Sequence, residues 1–275
     1  MSFLTLEQSQ ASSQPYELYE FTYQGITQYF TSADHSVVIP PITYLPWQIS
    51  RTAFVESGEI GKNNLTLTCP DQFPIGLLFA FGPPDDIVTL VVKRVQQGAL
   101  DVGDVSIVWL GRVLTVDFPP LRQELTCESV FTSLRQAGAR RVYTVNCPYA
   151  LYGIDCALNI LAFQSIITID SEVGNVLNAS AFTALGQPNG WWAGGKIVWQ
   201  YAPGLYAKRG IKNHTGTQCE ITFAFPNFPN GTLVTIAPGC DHTFSTCISK
   251  FANGLNFGGF PFMTEKNPWG SSSVF

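Results

Sequence analysis

The sequence predicts a mainly β protein with two β-barrel or sandwich-like domains and a few short helices. Three observations support this fold class. The 275 residues include 24 Gly and 18 Pro, which favour many turns over long helices. Aromatic residues make up 13% of the chain, and they are typical of strands together with the β-branched residues. Short apolar stretches alternate with turn signals along the sequence.

Composition also limits the class of function. The chain is 45% hydrophobic, which is ample for a packed core and argues against disorder. Charged residues make up only 13%, against roughly 25% in a typical domain, so we expect a surface covered by protein neighbours. A net charge of −5 argues against a duplex-binding module, which needs a basic stripe for phosphates.

The first residues, Met1-Ser-Phe-Leu-Thr-Leu-Glu-Gln8, contain no basic segment followed by an apolar one. The sequence therefore predicts no signal peptide, and we expect synthesis and folding in a cytoplasm. Thiols stay reduced in that compartment, so its seven Cys are expected to be metal ligands or buried small residues rather than disulfides.

The first domain is predicted to be a β-barrel over residues 1–126. Its predicted strands are Phe21–Gln24, Gln28–Thr31, Leu65–Thr68, Ile87–Val92 and Ser106–Val113. The stretch Phe73–Phe81 is compatible with either a short helix or a buried loop.

A second segment, 127–159, is predicted to hold one helix and the first pair of cysteines. Val130, Phe131 and Leu134 have helical spacing, which predicts a helix over Glu128–Ala137 that stops at Gly138. Cys147 and Cys156 then enclose a compact loop of eight residues.

Residues 160–238 are predicted to form an inserted small β-barrel. Its predicted strands are Gln164–Asp170, Lys196–Tyr201, Glu220–Phe225 and Thr232–Ile236. Trp191 and Trp192 are interpreted as a packing pair at the barrel end or a buried face at a subunit contact. His214, in Asn-His-Thr-Gly, is interpreted as a turn residue.

The last segment, 239–275, carries the second cysteine pair, a helix and the C-terminal tail. Phe244, Cys247, Ile248 and Phe251 share one helical face, which predicts a helix over Thr243–Phe251 with Asp241 as its N-cap. Cys240 and Cys247 have six residues between them.

The four cysteines in these two pairs could meet at one point. An inserted barrel can leave and re-enter with its ends together, which would bring both pairs into a thiolate site between the two barrels. Paired zinc ligands usually have two to four residues between them, and the eight and six found here match neither that pattern nor the common ferredoxin spacings. Spacing alone leaves the metal open, and it leaves open that the four are buried small residues. Cys69, Cys127 and Cys219 are predicted to be buried small residues.

Several motifs resemble one known family. They are Cys147-Pro-Tyr-Ala-Leu-Tyr-Gly-Ile-Asp-Cys156, Gly239-Cys-Asp-His-Thr-Phe-Ser-Thr-Cys247, Lys250-Phe-Ala-Asn-Gly-Leu-Asn-Phe-Gly-Gly-Phe-Pro-Phe262, Gly190-Trp-Trp-Ala-Gly-Gly-Lys-Ile-Val198, Ile211-Lys-Asn-His-Thr-Gly216 and, more weakly, Thr31-Ser-Ala-Asp-His35 with Thr43-Tyr-Leu-Pro46. The sequence is similar to the tail tip hub proteins of long, non-contractile-tailed phages and related gene transfer agents. The likeness is most specific from about residue 140 to 262. The lambda phage member has the same two cysteine spacings but a shorter segment between the pairs, which leaves the role of residues 160–238 open.

The resemblance implies a site, a partner set and a location. The ligands would be Cys147, Cys156, Cys240 and Cys247, holding an iron–sulfur cluster of the [4Fe-4S] type. The protein would be a homotrimer below a distal tail protein ring and above a central tip or fibre protein. It would adapt six-fold to three-fold symmetry and surround a channel for the tape measure protein and for non-specifically contacted DNA. It would act in the virion tail tip, with no small-molecule substrate.

Two alternatives belong to other function classes. One is a redox or conformational sensor, in which loss of the cluster triggers opening of the tip. The other is an enzyme that degrades the cell wall with a Cys nucleophile, since His242 lies between Cys240 and Cys247. The chain has only three His, and no Cys lies in a Gly-Ser-Cys-Trp type of context, so we expect no catalysis.

Overall fold

The computed structural model describes residues 7–8, 15–54, 63–80, 83–97, 105–135, 138, 143–225 and 227–263. The chain divides into two compact units, Met1–Ala137 and Gly138–Phe275. Each unit is built around a β-sheet, and the helices are short, so the mainly β fold class is confirmed. Of the helices in these ranges, none has the length and apolar character that crossing a membrane requires. The finer division into four segments stays a prediction.

The first unit contains a sheet of nine strands in the order β3-β4-β2-β1-β7-β8-β9-β6-β5. The strands are β1 Pro15–Tyr23, β2 Ile26–Thr31, β3 Val37–Ile39, β4 Ile42–Pro46, β5 Ser50–Arg51, β6 Leu65–Pro70, β7 Thr89–Gln96, β8 Ser106–Asp117 and β9 Arg122–Ser129. All neighbours are antiparallel except β2 and β4, which run parallel.

Alternation of apolar residues explains the first core. In β6, Leu65, Leu67 and Cys69 point inward, and they alternate with partly exposed residues. Phe73, which is fully buried, packs against the rings of Phe21 and Phe30 at centroid distances of 5.7 and 5.0 Å. Helix α1, Pro74–Leu77, follows Phe73, so the stretch after β6 is a short helix.

The helix predicted over Glu128–Ala137 begins two residues later and is of the 3₁₀ type, Val130–Arg135. Glu128 and Ser129 belong to β9, where they pair with Arg112 and Gly111 of β8. The prediction was wrong at this boundary because the helical spacing of Val130 and Leu134 does not reveal where the strand pairing ends. Residues 136 and 137 lie outside the described residues.

The second unit contains a sheet of seven strands in the order β10-β16-β13-β14-β15-β12-β11. The strands are β10 Ser165–Ile169, β11 Ser171–Val173, β12 Val176–Asn178, β13 Lys196–Ala202, β14 Leu205–Thr215, β15 Gln218–Ile221 and β16 Thr232–Ala237. The two edge strands, β10 and β11, are separated in sequence by Asp170 alone, so the sheet curls into a nearly closed barrel.

The core of this barrel is formed by inward-facing residues of its strands and by α2, Ser180–Ala184. Phe182 and Trp192 are almost fully buried, and Trp191 packs against the same core. This agrees with the interpretation of the Trp pair as packing residues.

His214 is not a turn residue, as the sequence had suggested. It lies in β14, pairs with Cys219 of β15 and is 2% exposed. The turn is formed by Gly216 and Thr217, so it begins two positions after His214. Its ring packs on Phe182 at 5.1 Å, and burial lowers the pKa of the imidazole.

Two short helices follow the barrel, α3 at Phe244–Ser249 and a 3₁₀ turn at Gly254–Asn256; a further 3₁₀ turn, Ile160–Ala162, precedes it. The N-cap of α3 is Thr243, whose hydroxyl accepts a hydrogen bond from the backbone N–H of Thr246. Asp241, predicted as the cap, instead accepts hydrogen bonds from Thr243 and from the Thr246 hydroxyl. Asp241 therefore lies two residues before the N-cap and holds the Thr243 side chain in place.

Candidate metal centre

The two cysteine-bearing segments leave the same end of the second barrel. Ser165, at the start of β10, pairs with Ile236, near the end of β16. The chain that enters from Cys156 and the chain that leaves toward Cys240 therefore run side by side. This geometry is the reason why cysteines more than 80 residues apart in sequence can meet.

All four predicted ligands line one cavity of the second unit. Cys147 and Cys240 are half-buried, and Cys156 and Cys247 are buried. The rest of the wall is mainly apolar and aromatic, formed by Tyr149, Leu151, Leu158, His242, Phe251, Asn256 and Phe257. The four sulfurs thus share one apolar space within a single unit, Gly138–Phe275.

Two glycines near the cysteines allow close contacts because they have no side chain. A Cβ atom at Gly239 would lie 2.1 Å from the carbonyl carbon of Gly194. A Cβ atom at Gly258 would lie 2.5 Å from the ring of Tyr149. Any larger residue would clash with the loop before β13 at Gly239 and with the Tyr149 ring at Gly258.

Backbone strain is concentrated around the cysteines. Among the described residues, seven that are not glycine have positive φ, and four of these lie in the cysteine-bearing loops. They are Tyr152 at 60°, Ala157 at 56°, His242 at 62° and Ala252 at 49°. Such strain costs free energy and tends to cluster at functional sites. Cysteines that merely filled an apolar core would not require it.

Each of three sulfurs has a nitrogen donor nearby. The backbone N–H of His242 donates to Cys240 Sγ at 3.3 Å, and that of Gly258 donates to Cys147 Sγ at 3.4 Å. The side-chain Nδ2 of Asn253 lies 3.7 Å from Cys156 Sγ. Cys247 differs, since its thiol donates to the carbonyl oxygen of Asn253 at 3.3 Å. Hydrogen bonds to sulfur are a usual feature of iron–sulfur sites.

Burial and neighbouring thiols disfavour the charged form of Cys240 and Cys247. Burial raises the pKa of Cys240, and the neighbouring Cys147 and Cys156 raise it further, while the hydrogen bond from His242 opposes the rise. Burial also raises the pKa of Cys247, and the same neighbours add to it. Positive charge that entered the cavity would favour the ionised form of Cys240 and Cys247.

One cation already lies at the edge of the site. Lys250 Nζ donates hydrogen bonds to the carbonyl oxygens of Trp191 and Gly239 at 2.5 and 2.6 Å. It also lies 4.8 Å from the centroid of the Trp191 ring. Burial lowers the pKa of Lys250, and the charges of Cys240 and Asp241 work in the opposite direction. Lys250 joins α3 to the loop before β13 and to the residue that precedes Cys240.

The donor set consists of four thiols, a ligand type that both zinc and iron–sulfur clusters use. Within the described ranges, no group of three or more His, Cys, Asp or Glu could hold one metal ion. A single zinc ion would need its sulfurs within about 2.3 Å of one point. A four-iron cluster binds each thiolate through a different iron, so its ligands stand further apart around a shared volume. In this chain four thiols line one cavity, and nitrogen donors lie beside three of them.

The ring of His242 does not engage a thiol. Its Nδ1 atom lies 3.0 Å from the carbonyl oxygen of Cys147, and only its backbone N–H contacts Cys240 Sγ. The arrangement is not that of a Cys–His nucleophile pair, in which the imidazole must reach the sulfur.

Sequence reasoning missed several residues of the site. Asn253, Tyr152, Lys250 and Gly258 were not singled out. Tyr152 donates its hydroxyl to the carbonyl oxygen of Pro238 at 2.9 Å, and burial raises its pKa. A turn signal, Asn253-Gly254, was present in the sequence, but its partners are distant in sequence.

A solved structure shares this fold along its whole length. The fold resembles that of a chain from the virion of a native gene transfer agent particle, with a TM-score of 0.79 and 20% identity. The match covers 100% of this chain and 99% of that chain. At this level of identity the likeness concerns the fold.

Two sequence comparisons add detail. Residues 190–267 match the family described as phage conserved hypothetical protein BR0599, and this stretch includes Cys240 and Cys247. An uncharacterized protein of Xylella fastidiosa (strain 9a5c) is 29% identical over 153 residues, which is 51% of this chain. The match spans only 32% of that curated relative's length.

Proposed function

We propose that this chain is a structural protein of a phage or gene transfer agent virion. Its place would be the hub at the distal end of a long, non-contractile tail. The fold likeness to a gene transfer agent virion chain over the full length supports this role, as does the phage family match over residues 190–267. The protein would be made in the cytoplasm of the host bacterium and act in the virion tail tip.

The proposed partners follow from a hub position. The chain would form a homotrimer below the distal tail protein ring and above a central tip or fibre protein. It would convert six-fold to three-fold symmetry and line a channel that carries the tape measure protein and DNA, without sequence-specific contacts and with no small-molecule substrate. Large exposed apolar side chains on β8 support burial against neighbouring chains: Ile107 at 64%, Leu110 at 44% and Leu114 at 49%.

We place a [4Fe-4S] cluster on Cys147, Cys156, Cys240 and Cys247. The observation that carries this assignment is that four thiols from two remote segments line one cavity. When bound, the cluster would supply folding free energy by joining the entry and exit segments of the second barrel. Binding would require the four thiols to lose their protons, including the proton that Cys247 donates to the carbonyl oxygen of Asn253. Redox sensing at the same site is an alternative within this proposal.

The role of the site in assembly can be tested in particles. Cys247→Ser should remove one ligand and prevent the formation of complete tails, so that infectious or gene-transferring particles are lost. Cys219→Ser is the matched control, since Cys219 is buried in β15 away from the cavity-lining residues. Normal particles from Cys247→Ser, or equal losses in both variants, would contradict a structural role for the site. Hydrolysis of host cell wall by the purified protein would instead favour an enzyme.

A further inference from the structure

Two residues connect the first cysteine pair with the second. His242 contacts both Cys147 and Cys240, and Asn253 contacts both Cys156 and Cys247. Each cysteine of one pair is thereby joined to one cysteine of the other through a single intervening residue. Neither residue supplies a sulfur, and neither was expected from the sequence to hold the site together.

The link through His242 uses backbone and side-chain atoms. Its carbonyl oxygen accepts a hydrogen bond from the Cys147 N–H at 2.8 Å, and its Nδ1 lies 3.0 Å from the Cys147 carbonyl oxygen. Its own N–H donates to Cys240 Sγ at 3.3 Å. His242 makes these contacts with a positive φ of 62°, a strained conformation for a residue other than glycine.

The link through Asn253 is more deeply buried. Its side chain donates from Nδ2 to the Cys156 carbonyl oxygen at 2.7 Å and reaches Cys156 Sγ at 3.7 Å. Its backbone N–H donates to the Cys247 carbonyl oxygen at 3.0 Å, and its carbonyl oxygen accepts the Cys247 thiol. The side chain is oriented by Asn256, whose Nδ2 donates to Asn253 Oδ1 at 2.7 Å. Asn253 is 9% exposed, so its hydrogen bonds are costly to lose.

We infer that His242 and Asn253 are positioning residues that hold the four thiols around the cavity before any metal enters, and that Asn253 also tunes the bound cluster. The first part concerns the metal-free chain. The second part rests on the proposed iron–sulfur function. A nitrogen donor near a ligand sulfur stabilises the reduced, more negative state of a cluster. Loss of the Asn253 amide should therefore make reduction harder.

The first experiment uses the full-length, reduced, metal-free chain and amide hydrogen exchange. His242→Gly should speed exchange several-fold in the peptide that contains Cys147, and Asn253→Ala should do so in the peptide that contains Cys156. Leu121→Gly is the control for His242→Gly, because both place Gly at a positive φ, 64° and 62°, and Leu121 lies in the first unit. Asn159→Ala is the control for Asn253→Ala, because the Asn159 side chain caps a 3₁₀ turn through Leu161 and contacts no cysteine sulfur. Exchange in each variant equal to that of its control would overturn the inference.

The second experiment uses the chain reconstituted anaerobically with ferrous iron and sulfide. Asn253→Ala should shift the reduction potential to a more negative value and lose iron to a chelator several-fold faster than Asn159→Ala. An unchanged potential would refute the tuning part. A wild-type chain that takes up no iron would refute the proposed cofactor, and the exchange experiment would still decide the positioning part. The His242 and Asn253 comparisons are independent, so misfolding of one variant leaves the other decisive.

Discussion

The seven cysteines fall into two groups that differ in the backbone that carries them. We call Cys69, Cys127 and Cys219 the strand cysteines, because they lie in β6, β9 and β15 at inward-facing positions. We call Cys147, Cys156, Cys240 and Cys247 the loop cysteines, because the first three lie in loops and Cys247 lies in a short helix between two loops. Strand alternation is enough to explain the first group. The second needs strained backbone, close glycine contacts and nitrogen donors.

Their chemistry differs accordingly. Burial alone raises the pKa of Cys69 and of Cys219 to about 12, so these thiols behave as small apolar groups. The loop cysteines face one another and share polar partners. The same residue type is therefore a core filler where a regular strand buries it, and a candidate ligand where loops bring several together. The following substitutions and conditions test this distinction.

The largest difference is expected in iron retention. Cys156→Ser in the full chain should lose nearly all iron after anaerobic reconstitution, because the cluster loses a thiolate. Cys219→Ser should keep about four iron atoms per chain, the content of a [4Fe-4S] cluster. The measurement is iron per chain after gel filtration. Equal iron in both variants would remove the distinction between the two groups.

Removal of iron should destabilise the second unit. A ligand present at a thousand times its Kd contributes about 4 kcal/mol, and a cluster that joins four chain positions should contribute at least that much. Unfolding by urea, followed through the Trp fluorescence of the wild-type chain, should shift to lower urea after treatment with a chelator. Cys156→Ser provides the control, since chelator should leave its transition unchanged. A wild-type transition that is insensitive to chelator would contradict a structural cluster.

A smaller effect on stability is expected when a strand cysteine is replaced by serine. Cys127 is 0% exposed, and Cys127→Ser buries a hydroxyl in an apolar position, which should cost about 2 kcal/mol of unfolding free energy. Cys127→Ala creates a small cavity instead and provides the comparison. Iron content should be normal in both variants. Loss of iron from either would mean that Cys127 belongs to the site.

Alkaline pH should lower the free energy of unfolding because the strand cysteines are buried as neutral thiols. Their folded pKa lies above the ordinary value of 9.0, so the unfolded thiol ionises first as the pH rises. The stability that a neutral buried thiol contributes is complete below pH 9 and is lost as the pH rises from 9 toward 12. At pH 10 each such thiol should cost about 1.4 kcal/mol. Urea unfolding at pH 8 and pH 10 should show a smaller decline for Cys219→Val than for wild type, and an equal decline would refute the burial argument.

The smallest effect concerns strain in the loops. Ala157 has a φ of 56°, which costs an alanine more than a glycine. Ala157→Gly should stabilise the metal-free chain by about 0.5 kcal/mol. Thermal unfolding measures this directly, with Ala181→Gly in α2 as a control that should destabilise. Destabilisation by Ala157→Gly would show that the backbone at Ala157 is not strained.

The elements that were predictable from sequence are those with regular alternation. Leu65–Thr68 was identified because apolar residues recur at every second position, and Ser106–Val113 was identified from its run of β-branched and aromatic residues. Strand β5, with only two residues, carries no such pattern, and its pairing with β6 depends on tertiary contact. Likewise, Glu220–Phe225 was predicted as a strand, but pairing in β15 ends at Ile221.

For the site, the sequence supplied the four cysteines but not the residues around them. Their convergence was predictable because an inserted barrel must bring its two ends together, and the pairing of β10 with β16 does so. Asn253 and Lys250 could not be predicted, since their contacts join positions 97 and 59 residues apart in sequence. Asp241 and Thr243 are both residue types that can serve as an N-cap. The structure identifies Thr243, because its extended backbone directly precedes α3.

The central claim is that four distant thiols hold one inorganic cluster. The most direct measurement is anaerobic purification of the full chain, followed by visible absorption and by quantification of iron, acid-labile sulfide and zinc. If the cluster is bound, we expect a brown protein with iron and sulfide in equal amounts and little zinc. A colourless protein with one zinc per chain, or a metal-free protein whose loop thiols are all freely titratable, would contradict it.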